Sequence, residues 1–217
     1  MEAAFAASYF ARCHWDCIVA ADAGLRVCDE AGIMPGIIVG DFDSLMPRRD
    51  GKKQDLSGMR LLEKYEKAGV TIRRFRPEKD DTDTQIAVEA AMERGCTQIH
   101  VLGGTGTRLD HMLGNLQVME MALNRGAAMI LVDVHNRVTM HNVPFVISKA
   151  EQWGGYISFI PWGGDVAGLT LRGFKYPLEG AVLSHAVSLG ISNELAQDVG
   201  EVSMAEGKLI MVEAADG

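Results

Sequence analysis

The sequence predicts an α/β fold in which an N-terminal three-layer domain with a parallel sheet is followed by a small C-terminal β-sandwich. Short apolar runs alternate with helical segments over the first part of the chain, which is the pattern of a parallel sheet with crossover helices. Beyond this part the segments become short and are separated by Gly, Pro and polar turns, which is typical of a sandwich. We therefore place the two domains at residues 1–140 and 141–217.

Five strands are predicted in the first domain, each a short apolar run bounded by turn residues. They cover residues 17–21, 37–39, 70–75, 97–102 and 128–134. Helices with apolar residues on one face accompany these strands, and several of them end at a glycine. They cover residues 3–14, 25–31, 58–68, 84–94 and a longer segment that ends at Arg125. This order of elements brings the carboxyl ends of the strands to one edge of a sheet.

The second domain contains short predicted strands and no convincing helix. Turn signals recur about every 8–12 residues, which favours a β-sandwich. The predicted strands cover residues 143–147, 156–160, 168–171, 181–188, 199–204 and 209–212.

Composition excludes several functional classes. The chain has 217 residues, an ordinary apolar content of 47% and a net charge of −8, which argues against a nucleic-acid partner. No apolar run approaches the roughly 20 residues that span a bilayer, and no signal-peptide pattern opens the chain, so no membrane partner is expected. The four cysteines lack the spacing of a zinc site, and they suit the reducing environment of the cytoplasm.

The stretch Gly40-Asp41-Phe42-Asp43-Ser44 places two carboxylates directly after a buried strand. If the backbone stays extended there, both carboxylates point to one side, because side chains alternate with period two. Two acids on one side repel each other unless a cation lies between them, and a divalent metal ion that carries phosphate fits this place. Phe42 is then expected to point the other way, into the core.

Other acidic or glycine-rich motifs also follow predicted strands. They are Asp22 after the first strand, Asp80-Asp81-Thr82-Asp83 after the third, and Gly103-Gly104-Thr105-Gly106 with Arg108 and Asp110 after the fourth. Acids that share one sheet edge with Lys79 and Arg108 fit Mg²⁺-assisted phosphate chemistry, in which acids hold the metal and cations hold phosphate oxygens. Each motif also has a plain structural explanation, as a helix cap for the acidic one and as a tight turn for the glycine-rich one.

These motifs, in this order, resemble the bacterial type of the thiamine pyrophosphokinase family. The stretches that carry the resemblance are Asp22-Ala23-Gly24, Gly40-Asp41-Phe42-Asp43-Ser44, and residues 79–83, 103–111, 173–178 and 190–194. The resemblance covers nearly the whole chain. Two departures stand out: Ala23 replaces a glycine that would take positive φ cheaply, and the strand that usually precedes the first helix of the family is not visible.

The resemblance implies transfer of pyrophosphate from ATP to the hydroxyl of thiamine, which gives thiamine diphosphate and AMP, with Mg²⁺ as the metal. It implies a homodimer whose active sites lie between the α/β domain of one subunit and the sandwich of the other. The metal ligands would be Asp41 and Asp43, with Asp22 or Asp83. The residues that bind ATP would be Lys79, Thr82, Thr105, Arg108 and His111.

The same resemblance implies a mechanism and a thiamine site. The thiamine hydroxyl attacks the β-phosphorus and AMP leaves, while Asp83 or Asp110 accepts the hydroxyl proton. The catalytic set is thus Asp41, Asp43, Asp83, Arg108 and Asp110. Thiamine would be held by Ser192 and Asn193, with Tyr176. Two other functions stay open: a non-catalytic binder of thiamine or nucleotide diphosphates, and a phosphohydrolase that uses water in place of thiamine.

Overall fold

The computed structural model describes residues 1–42, 57–75, 81–106 and 108–216. The chain divides into two compact units that are interleaved in sequence. The first unit comprises Met1–Ile99 and Arg108–Val118, and the second unit comprises His100–Thr107 and Met119–Gly217. Within the described parts of the chain, none of the helices combines the length and apolarity that a membrane span needs.

The first unit contains a parallel sheet of three strands, in the order β1-β2-β3. Strands β1 to β3 comprise Val19–Ala21, Ile37–Gly40 and Thr71–Arg74. Helices α1 to α4 comprise Ala3–Phe10, Gly24–Glu30, Ser57–Lys67 and Asp83–Glu93. The predicted parallel pairing of these three strands is therefore confirmed.

Strand β2 is buried throughout and packs against helices through alternating side chains. Ile38 belongs to a core cluster that includes Leu25 of α2 and Leu62 of α3. Its neighbours Ile37 and Val39 belong to a second cluster with side chains of α4. Since neighbouring side chains of a strand point to opposite faces, the apolar run of β2 fixes helices against the sheet on both sides.

The next two elements, β4 (Gln98–Leu102) and α5 (Leu109–Asn124), each contain residues of both units. Strand β4 is hydrogen-bonded to β5 in a sheet of eight strands. Among the described residues, β4 and β5 lie in this second sheet, so the prediction that all five strands share one sheet is wrong. A short turn at residues 133–135 returns the chain along β5, so β5 pairs antiparallel with β6.

The second unit is built on this eight-stranded sheet, with the order β4-β5-β6-β11-β8-β10-β7 and with β9 paired to β8. Strands β5 to β11 comprise Ala128–Val132, Asn136–His141, Phe145–Ser148, Tyr156–Arg172, Leu178–Leu183, Val199–Ser203 and Glu206–Ala214. The sequence did not predict β6 as a strand.

Strand β8 explains how the sheet curls. It joins two strands that were predicted separately, and it runs over 17 residues. Its first part pairs with β11, and its last part pairs with β10 and β9. Gly163 and Gly168, both with positive φ, lie between these parts and let the strand bend. The bend encloses a core in which Phe159 and Phe174 meet edge to face at 5.4 Å.

Two predicted elements end earlier than expected. Helix α1 ends at Phe10. There the backbone N–H of Arg12 donates to the Tyr9 carbonyl, three residues earlier instead of four, which tightens the last turn. Strand β9 ends at Leu183, because the backbone N–H of His185 donates to the carboxylate of Asp165 (2.9 Å) in a turn.

Candidate active site

Asp22 and Asp41 follow the neighbouring parallel strands β1 and β2, so both acids lie at the carboxyl edge of one sheet. The backbone N–H of Asp22 donates to the Val39 carbonyl (2.8 Å), which continues the parallel register beyond the end of β1. A Cβ atom on Gly40 would lie 3.2 Å from the Asp22 Cα and 3.3 Å from the ring of Phe42. The absence of a side chain at Gly40 therefore allows the backbone of Asp22 to lie against the end of β2.

The backbone around these acids takes left-handed conformations. Asp22 has φ 42° and Phe42 has φ 62°, both uncommon for residues other than glycine. The assumption of an extended backbone is therefore wrong at Phe42, although its predicted burial is confirmed, with 1% exposure. Ala23 has φ −59° and is helical, so the replacement of a family glycine there causes no backbone strain.

Two of the predicted site residues, Asp43 and Lys79, lie outside the described residues, and their assignments stay predictions. Among residues 1–42, 57–75, 81–106 and 108–216, no group of three or more His, Cys, Asp or Glu side chains is arranged as a metal site. The predicted set of metal ligands includes Asp43, so the described residues contain only part of it.

Asp83 is the first residue of α4, and its neighbours cap that helix. The Thr82 hydroxyl accepts a hydrogen bond from the backbone N–H of Gln85 (3.2 Å), and the Asp81 carboxylate accepts one from the Gln85 side chain (2.7 Å). The helix-cap explanation of this motif is therefore confirmed for Thr82. The carboxylate of Asp83 lies in the first turn, where the helix dipole favours a negative charge.

Arg108 and Asp110 form a two-point ion pair at the start of α5. Arg108 Nε donates to Asp110 Oδ1 (3.2 Å), and Nη2 donates to Oδ2. The hydrogen bonds from Arg108 lower the pKa of Asp110 below its ordinary value, and the same contact raises the pKa of Arg108. Both side chains are exposed, as is His111 one residue further on. The pair holds the guanidinium in one orientation.

The glycine-rich loop after β4 is tied to a residue that the sequence analysis did not single out. Gly103 has φ 83°, and the hydroxyl of Thr105 donates to Asp133 Oδ2 (2.5 Å). Asp133 Oδ1 accepts hydrogen bonds from the backbone N–H groups of His135 (2.7 Å) and Asn136 (2.6 Å). The signal for this residue is an aspartate with an asparagine three positions later, directly after a strand.

The hydrogen bonds to Asp133 also change its acidity. Partial burial raises the pKa of Asp133, but the bonds from Thr105 and from the His135 and Asn136 backbones outweigh this effect, so the net pKa is lowered. Asp133 is therefore an ionised carboxylate that accepts hydrogen bonds.

Asn193 is buried, with 5% exposure, and its amide group is bonded to backbone atoms. Its Oδ1 accepts from the backbone N–H groups of Tyr176 (3.0 Å) and Glu194 (2.9 Å), and its Nδ2 donates to the Tyr176 carbonyl (2.8 Å). The backbone of Asn193 also pairs with Ile157 in an antiparallel bridge. The structure thus brings Asn193 and Tyr176 together through backbone contacts.

Ser192 and Tyr176 present exposed side chains beside this buried amide. Tyr176 is 59% exposed. Ser192 has φ 56°, and its backbone N–H donates to the hydroxyl of Ser158 (3.0 Å). The three predicted thiamine residues are therefore close in space, and they differ in how much of each is accessible.

The chain matches two protein-family models that follow each other in sequence. The model described as thiamin pyrophosphokinase, catalytic domain, matches residues 11–131. The model described as thiamin pyrophosphokinase, vitamin B1 binding domain, matches residues 144–209. The chain is also 34% identical to the thiamine pyrophosphokinase of Bacillus subtilis (strain 168) over 198 residues, which cover 91% of this chain and 87% of the relative.

Solved structures of similar proteins have the same mixed α/β fold. The crystal structure of thiamine pyrophosphokinase from Bacillus subtilis superposes with a TM-score of 0.79 at 34% identity, covering 92% of this chain and 87% of that one. The structure of thiamin pyrophosphokinase from Geobacillus thermodenitrificans superposes with a TM-score of 0.82 at 32% identity, covering 97% and 92%. The resemblance carried by the sequence motifs is confirmed.

Proposed function

The chain belongs to the thiamine pyrophosphokinase family, whose members convert thiamine and ATP to thiamine diphosphate and AMP, and we propose how its residues divide that work. The observation that supports the proposal most strongly is the approach of Asp22 to the end of β2, where Gly40 leaves room for it beside Asp41. Carboxylates at the ends of parallel strands are suited to hold a metal–phosphate complex at the edge of the sheet.

The residues that would hold Mg²⁺ are Asp41 and Asp43, with Asp22 or Asp83. All four side chains offer carboxylate oxygens, the hard ligands that Mg²⁺ prefers, so the donor set fits this ion. When bound, the ion neutralises charge on the ATP phosphates. The strained φ of Asp22 and Phe42 supports a functional place here, since such backbone conformations cluster at active sites.

ATP is bound by Lys79, Thr82, Thr105, Arg108 and His111. Arg108 has five N–H donors, and two of them bind Asp110 and orient the guanidinium. A guanidinium that is already oriented loses less side-chain entropy when it meets phosphate oxygens. This supports a role for Asp110 in presenting Arg108 to the transferred group.

The hydroxyl of thiamine attacks the β-phosphorus of ATP, and AMP is the leaving group. Of the two carboxylates proposed to accept the hydroxyl proton, we favour Asp83. Both carboxylate oxygens of Asp110 already accept hydrogen bonds from Arg108, so Asp110 is occupied in orienting that guanidinium. Asp110 then contributes to catalysis through Arg108.

Thiamine is bound by Ser192 and Tyr176, with Asn193 behind them. The amide of Asn193 is buried and bonded to the Tyr176 backbone, which supports a role in setting the positions of its two exposed neighbours. The side chains of Ser192 and Tyr176 are exposed, so they can contact a ligand directly.

The larger organisation proposed for the chain has indirect support. The two family matches, which end at residue 131 and begin at residue 144, support a three-layer ATP-binding domain at residues 1–140 and a thiamine-binding β-sandwich at residues 141–217. Exposed apolar side chains at Val187, Leu189 and Ile191 support a homodimer with active sites shared between subunits. The free cysteines support a cytoplasmic location.

Nucleotide analysis with and without thiamine tests this function. The protein, ATP and Mg²⁺ are incubated and AMP is quantified by chromatography. We expect AMP to form only when thiamine is present, and to form with thiamine diphosphate. AMP formation without thiamine would identify a phosphohydrolase. Tight thiamine binding without any AMP would identify a non-catalytic binder.

A further inference from the structure

Asp133 connects the glycine-rich loop at residues 103–106 with the turn between β5 and β6. One carboxylate oxygen receives the Thr105 hydroxyl, and the other receives two backbone N–H groups of the turn. All of these residues belong to the second unit. A side chain 28 positions away in sequence therefore fixes the middle of the loop.

The direction of the Thr105 hydrogen bond follows from the chemistry of the two groups. An ionised carboxylate has no proton to donate, and a threonine hydroxyl has only one. The lowered pKa of Asp133 keeps the carboxylate ionised, so Thr105 donates its single proton to Asp133. Phosphate oxygens also only accept, so the Thr105 hydroxyl has no proton left to donate to a phosphate.

Asp133 is itself held by the surrounding sheet. Its backbone N–H donates to the Asn136 carbonyl (2.9 Å), and its own carbonyl accepts the indole N–H of Trp153 (3.1 Å). The backbone N–H of Trp153 in turn donates to Glu213, which is fully buried and paired with Arg137. The carboxylate of Asp133 therefore has little freedom to follow the loop if the loop moves.

We propose that Asp133 is a positioning residue that holds the glycine-rich loop, through the Thr105 hydroxyl, in the conformation that binds ATP. Thr105 then contributes to ATP binding by fixing the loop, and the backbone N–H groups of the loop are the donors to the phosphates. Glycines leave a loop with many conformations, and a fixed point in its middle lowers the entropy that binding must overcome. This inference rests on the proposed function, because it concerns the ATP site of that reaction.

Four variants separate this role from direct contact. T105V removes the hydroxyl and keeps the shape, whereas T105S keeps the hydroxyl. D133N keeps an acceptor oxygen for the turn but removes the charge that holds the Thr105 proton. The double variant T105V/D133N tests whether both residues act through one contact. D165N is the matched control, because Asp165 accepts the backbone N–H of His185 in another turn of the same unit.

The readouts are the KM for ATP, the KM for thiamine and kcat, together with the Kd of α,β-methylene-ATP by calorimetry. We expect T105V and D133N each to raise the KM and the Kd for the nucleotide by about fivefold to tenfold, with kcat and the KM for thiamine changed less than about twofold. The double variant should be no worse than the more severe single variant, and T105S should recover most of the affinity that T105V loses. Amide hydrogen exchange at residues 103–106 should accelerate in T105V and D133N, but not in D165N.

Two results would overturn the proposal. The first is a D133N variant with unchanged nucleotide affinity and unchanged exchange in the loop. The second is a double variant whose loss equals the product of the two single losses, since independent contacts multiply. If D133N does not fold, amide hydrogen exchange at residues 103–106 in T105V and T105S still tests whether the Thr105 hydroxyl fixes the loop. Failure of the wild-type protein to form thiamine diphosphate would instead refute the proposed function, and the exchange experiment does not depend on that activity.

Discussion

The two units position their site residues by different physical means. In the first unit, backbone geometry places Asp22 and Asp41: the β1–β2 register sets both at one sheet edge, and the missing side chain at Gly40 lets the Asp22 backbone lie against the end of β2. In the second unit, side chains do this work, because Asn193 and Asp133 bond to the backbone of neighbouring segments. A side chain whose position depends only on its own backbone can be substituted with little loss of stability. A side chain that holds other segments cannot.

The largest expected effect concerns Asp41, whose position is set by its own backbone. D41N should lower kcat by about a hundredfold or more, because a neutral amide is a poor ligand for Mg²⁺ and does not offset phosphate charge. The free energy of unfolding should change by less than about 0.5 kcal/mol. Steady-state kinetics and urea denaturation measure the two quantities.

The matched control for D41N is D16N, because Asp16 is an acid on the surface of the same unit. This variant should keep wild-type kcat and stability. Full turnover of D41N at saturating Mg²⁺ would remove Asp41 from the metal site.

For Asn193, whose side chain holds other segments, we expect the opposite result: its substitution should reduce stability. N193A leaves the partly buried N–H and C=O of Tyr176 without their partners, so we expect a loss of about 1–3 kcal/mol in the free energy of unfolding. The KM for thiamine should rise as Ser192 and Tyr176 move. Urea denaturation of N193A is compared with N142A, which removes an exposed asparagine. A fully stable N193A that has lost thiamine binding would make Asn193 a direct ligand.

Gly40 tests backbone placement directly, because it has a positive φ and also lies close to the Asp22 backbone. G40A introduces a Cβ 3.2 Å from the Asp22 Cα at φ 154°, so we expect a loss of about 2 kcal/mol in stability together with a large loss of kcat. G69A is the control, since Gly69 has φ 82° but no atom within 4 Å of the new Cβ. It should lose about 1 kcal/mol and keep its activity. Equal loss of activity in both variants would contradict the role assigned to close approach.

The smallest expected effect is a pH dependence of stability that arises in the second unit. Burial lowers the pKa of His141 to about 4, and its ring stacks on Phe145 at 3.7 Å. The unfolded chain therefore takes up the proton first as the pH falls. The free energy of unfolding should decrease as the pH falls from 6.5 to about 4, and this contribution should be constant well above pH 6.5.

The measurement for His141 is urea denaturation as a function of pH, in the wild type and in H141Q. The difference in stability between the two proteins should shrink as the pH falls through this window. A difference that is the same at pH 7 and pH 4.5 would show that His141 does not titrate in this way.

Local features of this chain could be predicted from its sequence, and long-range ones could not. The cap of α4 at Thr82 and the burial of Phe42 follow from neighbouring residues, and both predictions are confirmed. The membership of β4 and β5 in the eight-stranded sheet depends on pairing with distant strands, as does the length of β8. Such pairings leave no signal in a single strand's sequence.

The candidate site shows the same limit. The acids at 22, 41 and 83 were found because they directly follow predicted strands or precede a helix. Asp133 was missed because its partner in the loop is distant in sequence, and an aspartate followed three positions later by an asparagine indicates only a turn. Asn193 was found through the family motif, but its buried contacts with Tyr176 only became visible in three dimensions.

The fate of the terminal phosphate tests the central claim most directly. ATP labelled on its γ-phosphate is incubated with the protein, Mg²⁺ and thiamine, and the products are separated by chromatography. Pyrophosphate transfer predicts that the label moves into thiamine diphosphate while unlabelled AMP appears in equal amount. Label in thiamine monophosphate with ADP, or in free phosphate or pyrophosphate, would contradict it.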